Sequence, residues 1–160
     1  VVGGSTIELS GSVKFLGVTL DSKLNFNEHI RNITKKATMV LMQCKRAVGP
    51  TWGMTPKTCR WIYLMVVRPI LAYASVVWVN ALNTHTNTIL MERVQRLALN
   101  IMTGAMSGTS SINLNKITET PNIVTFLKGE AAKGASRLRV YKDWTVEKNR
   151  LVKFEIEIEN

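Results

Sequence analysis

The stretch "WIYLMVVRPILAYASVVW", residues 61–78, decides how this chain folds. It carries one charge, Arg68, followed directly by the helix-breaker Pro69. A membrane span needs about 20 predominantly apolar residues, so the length nearly qualifies. Arg68, however, would lie near the bilayer centre at a cost of about 2.5–3.5 kcal/mol, and Pro69 interrupts the helix there. The flanks are also poor, with Lys57 and Arg60 before the stretch and only neutral residues after it as far as Met91. A helix apolar nearly all round is otherwise the central helix of a bundle. The stretch is therefore expected to be a kinked core helix and not a membrane segment. Trp61, Tyr63, Tyr73 and Trp78 would fill the core, with an aromatic groove as the competing reading.

Upstream, "NEHIRNITKKATMVLMQCKRAV" (27–48) places Ile30, Ile33, Ala37, Val40, Leu41, Cys44, Ala47 and Val48 at helical steps. Arg31, Lys35 and Arg46 fall almost opposite the centre of that apolar stripe. Asn25 or Asn27 is the expected N-cap, and Gly49-Pro50 the stop. Thr55 would cap the next helix, with Pro56 in its first turn. A third helix, Thr86 to Thr103, carries Leu90, Val94, Leu97 and Ile101 on one face, and Glu92 and Arg96 four apart. Gly104 suits its C-terminus. Beyond it, "INLNKITET" (112–120) reads as a short helix before Pro121. "NIVTFLKGEAAKGASRLRVYKDW" (122–144) is a helix weakened by Gly129 and Gly134. The tail "KFEIEIEN" (153–160) alternates apolar and acidic residues like an edge strand.

The beginning of the chain alternates too. In "STIELSGSVKFLGVTLD" (5–21), Ile7 and Leu9 precede Ser10-Gly11, and Val13, Phe15 and Gly17 follow, so a hairpin turning at Ser10-Gly11 is expected. Gly17 within its second strand suggests a bulge or a close backbone approach. The expected fold is mainly α: a short N-terminal β-hairpin followed by an antiparallel helical bundle. Its divisions are a hairpin over 1–22, a helical bundle over 23–105, accessory connecting helices over 106–142 and a tail, or the start of a further domain, over 143–160. The opening "VVGGST" has no initiating Met and no leader, and reads as a piece of a longer chain.

With 46% hydrophobic and 20% charged residues the chain is globular in composition. Its net charge of +10 is unevenly spread. Residues 29–91 hold no Asp or Glu, yet include Arg31, Lys35, Lys36, Lys45, Arg46, Lys57, Arg60 and Arg68. Such a run implies a polyanionic partner, nucleic acid or an anionic membrane surface. Cys44 and Cys59 are expected as buried free thiols in a reducing compartment. His29, one turn into a helix, is expected to pack or cap. Phosphoryl chemistry on two metal ions needs clustered carboxylates, and the only aspartates are Asp21 and Asp143. Hydrolase elbows, zinc-protease helices and phosphate loops are absent as motifs. The stretch alone is not expected to make or break bonds.

"VKFLGVTLD", "NFNEHI", "GPTWGMTP", "IYLMVVRPILAYASVVW" and "VQRLALNIMTGA" follow one another in an order that resembles one family. They are similar to the region just after the palm in reverse transcriptases of non-LTR retrotransposons, the jockey-like elements of arthropods. The resemblance covers residues 7–142. It implies that Lys14, Phe15, Leu16 and Gly17 belong to the primer grip, which positions the primer's 3′ end. The helices beyond would form the thumb, with Arg31, Lys35, Lys36 and Arg46 following the backbone of the template–primer. The implied partners are an RNA template, a DNA primer, their hybrid duplex and an upstream palm of the same polyprotein, with no membrane. Mg²⁺ is expected for the parent enzyme and no cofactor within this stretch, where the Tyr-x-Asp-Asp motif is missing. The implied location is intracellular, cytoplasm and nucleus. "MSGTSS" stands where the family often has a basic, Pro-containing run. A stand-alone basic helical nucleic-acid-binding module without an enzyme is the alternative reading.

Overall fold

The computed structural model describes residues 11–49, 53–106 and 108–138. Two strands, β1 (Ser12–Phe15) and β2 (Val18–Asp21), pair antiparallel with Phe15 opposite Val18 and Ser12 opposite Asp21. The turn is therefore Leu16-Gly17 and not Ser10-Gly11; Ile7 and Leu9 lie outside the described residues. Both turn residues take positive φ, 45° and 84°, as a two-residue hairpin loop with the strands' own twist requires. The expectation of a close approach at Gly17 holds. A β-carbon there would sit 3.2 Å from the Tyr73 ring, and Tyr73 Oη donates to the Leu16 carbonyl at 2.9 Å.

Helix α1 (Asn27–Arg46) forms on the expected stripe, burying Ile30, Ile33, Ala37, Leu41 and Cys44. Glu28 in its first turn and Lys45 and Arg46 in its last match the helix dipole. Neither asparagine caps it. Phe26, in a left-handed conformation, stands at the N-cap, and no side chain bonds the first turn. Asn25 instead donates its backbone N–H to Asp21 Oδ1 at 2.8 Å, and the Asn27 side chain accepts from Asn87. The helix stops at Arg46, before Gly49. Gly53 then brings the chain back against α1, where a β-carbon would collide with the Ala47 carbonyl.

Thr55 caps α2 (Pro56–Ile62) through its side chain, as the sequence indicates. The break that follows is not a simple kink at Pro69. A π-turn over Tyr63–Val67, closed by the Arg68 N–H on the Tyr63 carbonyl, widens the helix just before the proline. The proline ring would otherwise meet the carbonyl four residues back. Pro69 then sits in the first turn of α3 (Arg68–Ala72). The helix ends at Tyr73 and Ala74, the latter at φ 52°, and α4 (Ser75–Trp78) and a 3₁₀ turn (Val79–Asn83) leave at 53° to it.

Tyr63, Val67, Leu71 and Trp78 are fully buried. Trp61 and Tyr73 are not, being 60% and 55% exposed, and with Met65, Pro69 and Val77 they form an outward row at four-residue intervals. Packing on one side only was invisible in a stretch apolar all round. No single helix among the described residues is long and apolar enough to cross a membrane.

Helix α5 (His85–Thr103) crosses α1 and α2 and ends at Gly104 in the left-handed conformation. Its inner face is rotated from the expected one. Met91, Val94, Ala98, Leu99 and Met102 are buried, and Leu90, Leu97 and Ile101 are only partly covered. Two polar residues account for the shift. Asn87 donates to Asn27 and to the Ala81 carbonyl, and Gln95 to Asn115 and the Pro121 carbonyl while accepting from Ile123 N–H. Both are buried because other elements satisfy their hydrogen bonds, so hydropathy alone points to the wrong face. Helix α6 (Ser111–Ile117) and helix α7 (123–138) complete the bundle. The tail from 139 onward lies outside the described residues.

Candidate nucleic-acid interface

Along the outer edge where α1 meets α5 runs an open groove of about 630 Å³. Thr34 and Thr38 stand on the α1 side and leave room for it. Their hydroxyls turn back onto the carbonyls of their own helix, Ile30 at 2.7 Å and Thr34 at 2.8 Å. Met39, Met42, Leu90 and Leu97 give an apolar floor. Arg31, Lys35 and Arg46 from α1 and Arg93 from α5 stand around it, and no carboxylate lines it. Guanidinium groups fork onto phosphate or carboxylate oxygens, and a lysine adds a compact charge. With like charges gathered and no acid between them, the groove carries a positive potential.

Lys36 goes elsewhere. It projects on the flank of α1 nearer His29, whose imidazole it helps to keep neutral. His29 itself is core, as expected for a packing residue. Its Nδ1 accepts the Thr19 N–H at 3.3 Å, and its ring tilts against Trp78. Burial, and secondarily Lys36, hold its pKa below the ordinary value.

The hairpin residues form a separate, outward tip. Lys14 is exposed, and Phe15 and Leu16 are 63% and 76% exposed. Only β2 packs inward, through Val18 and Thr19. The Tyr73 bond to Leu16 fixes the tip to the end of α3. Among the described residues no three His, Cys, Asp or Glu side chains come together as a metal site.

Two of the acid-free run's arginines serve the fold. Arg60 Nε reaches the Thr118 carbonyl at 2.8 Å. Arg68, 4% exposed, lies over the Phe126 ring at 4.5 Å and donates to the Pro121 carbonyl. Tyr63 beside it has its hydroxyl pKa raised by burial, with Arg68 opposing. Cys44 and Cys59 are buried free thiols, raised in pKa chiefly by burial.

The chain is 30% identical over 109 residues, 68% of its length, to a Retrovirus-related Pol polyprotein from type-1 retrotransposable element R1 4 of Nasonia vitripennis. Over 140 residues, 88% of its length, it is 26% identical to the RNA-directed DNA polymerase from mobile element jockey of Drosophila melanogaster. A third match, at 28% over 95 residues, is the probable RNA-directed DNA polymerase from transposon BS of the same fly. The chain is thus similar to one part of non-LTR retrotransposon polyproteins, a reverse-transcriptase-related region. It spans 27%, 15% and 10% of those three relatives' own lengths. No family model and no solved structure matches it.

Three of the expected phosphate-contacting residues, Arg31, Lys35 and Arg46, meet in one groove, and Lys36 does not join them. Arg93 was missed because it sits on another helix, 47 positions from Arg46. No signal in the sequence pairs the two, since the α5 face depends on the buried Asn87 and Gln95.

Proposed function

We propose that this chain is the primer-grip and thumb part of a retrotransposon reverse transcriptase and clamps the template–primer duplex without reading its sequence. The gathering of Arg31, Lys35, Arg46 and Arg93 around one acid-free groove is the observation that carries this reading. An RNA–DNA hybrid tends toward A-form, recognised through shape, sugar hydroxyls and phosphates, which suits a row of cations. The Leu16-Gly17 tip would approach the primer end, with Phe15 and Leu16 as its contact surface. The row of Trp61, Met65, Pro69, Tyr73 and Val77 would pack on the palm. Mg²⁺ and deoxynucleotides would be held by residues outside this stretch.

Hybrid affinity measured against salt tests the reading. Four phosphate contacts give a log–log slope of about −3 to −4, and Arg31→Glu with Lys35→Glu should remove about 2 from its magnitude. The same double variant should weaken binding by about tenfold or more at 100 mM salt and leave helical circular dichroism intact. A slope near zero in the unaltered chain would overturn the proposal.

A further inference from the structure

The groove carries two properties at once, an apolar floor and cationic walls. A nucleic-acid backbone uses only the second. Met39, Met42, Leu90 and Leu97 along the bottom would suit an occupant with apolar side chains on one side and acids on the other. Residues 154–159 of the same chain read Phe-Glu-Ile-Glu-Ile-Glu. Extended, that segment would set Phe154, Ile156 and Ile158 on one side and Glu155, Glu157 and Glu159 on the other, since successive side chains of a strand alternate.

The dimensions agree. Arg31 and Arg46 lie 15 residues apart on α1, about 22 Å at the helical rise, and six extended residues span about 20 Å. From Leu138, the last described residue, 15 residues lead to Lys153. That length can reach about 50 Å, while a domain of this size has a radius of gyration of about 14 Å. The charges agree as well, three carboxylates against four cations. Held on the same chain, even a weakly binding segment acts at an effective concentration near millimolar.

We propose that residues 154–159 lie in the α1–α5 groove as an acidic, strand-like occupant that competes with nucleic acid. The competition rests on the polyanion reading of the groove given above; the occupancy itself does not.

Zero-length carbodiimide coupling of the full chain tests the occupancy. Amide bonds are expected between Glu155, Glu157 or Glu159 and the Lys35 amine, mapped by mass spectrometry within one copy of an isotope-mixed sample. The Lys133–Glu130 ion pair, at 2.8 Å, couples in the same sample as the positive control. Phe154→Ser, Ile156→Ser and Ile158→Ser together keep every charge, yet should abolish the Lys35 coupling and tighten hybrid binding by about threefold or more, as the competent fraction rises. Control coupling without any Lys35 product, or Lys35 products only between different copies, would overturn the occupancy. Coupling that persists unchanged in the serine variant would do the same. If the coupling forms as expected and hybrid affinity does not change, the competition fails. Intramolecular coupling in a chain whose serine variant also binds no hybrid would leave the occupancy standing and sink the proposed function instead.

Discussion

Two places in this molecule gather arginines, and they use them in opposite ways. In the α1–α5 groove, Arg31, Arg46 and Arg93 stand at the surface around an apolar floor. In the seam between α2–α3 and the chain around Pro121, Arg60 and Arg68 spend their donors on the carbonyls of Thr118, Glu119 and Pro121. Arg68 is further enclosed by two aromatic rings. A guanidinium with backbone carbonyls to satisfy is a fastening, and one without is available to a ligand. A charge count along the sequence treats both alike. The acid-free run therefore overstated the cations open to a ligand by at least these two residues.

The contrast yields measurements of decreasing size. Arg68→Ala removes one of the two donors on the Pro121 carbonyl and leaves a hole between Tyr63 and Phe126. Its expected cost is about 3 kcal/mol, read as a lower urea midpoint; a loss below about 1 kcal/mol would put Arg68 among ordinary surface cations. Gln95→Leu strands Ile123 N–H and takes away the other donor on that carbonyl, for about 2 kcal/mol in the same assay. The groove pair Arg31→Glu and Lys35→Glu should shift stability by no more than about 0.5 kcal/mol, in contrast to its effect on binding.

His29 adds a pH signature on the core side of the comparison. Its pKa is depressed in the fold, so the unfolded chain takes up the proton more readily. Stability is then full above the ordinary imidazole value of 6.5 and falls as pH drops below it. Urea unfolding between pH 7.5 and 5 should show that decline, and His29→Asn should remove it. A decline that survives in the variant would assign it to another group.

Much of the fold was legible because period and punctuation agreed. Helix α1 has a clean stripe, α2 a Thr-Pro start, and α5 a glycine end. What misled was local or polar. The hairpin turn lay six residues beyond the obvious Ser10-Gly11, since Leu16 is an unusual residue to hold positive φ and Tyr73 holds it there. The α5 face turned on Asn87 and Gln95, whose burial depends on partners from distant parts of the chain. Of the candidate site, the α1 cations were readable from helical geometry. Arg93 was not, since only packing of α5 on α1 brings it to them.

The π-turn at Tyr63–Val67 has a consequence for length variation. A five-residue turn holds one residue more than its neighbours, so it stores a spare position in the middle of the longest apolar run. Loss of one residue there would tighten the turn to ordinary pitch and drive the Pro69 ring against the carbonyl of the residue four before it. Because the wide turn covers with five residues about the rotation that four cover at ordinary pitch, the faces on either side would keep their phase, and the clash at the proline would be the cost. Substitutions at these positions can be absorbed one at a time. The count of residues between Trp61 and Pro69 cannot fall without that clash.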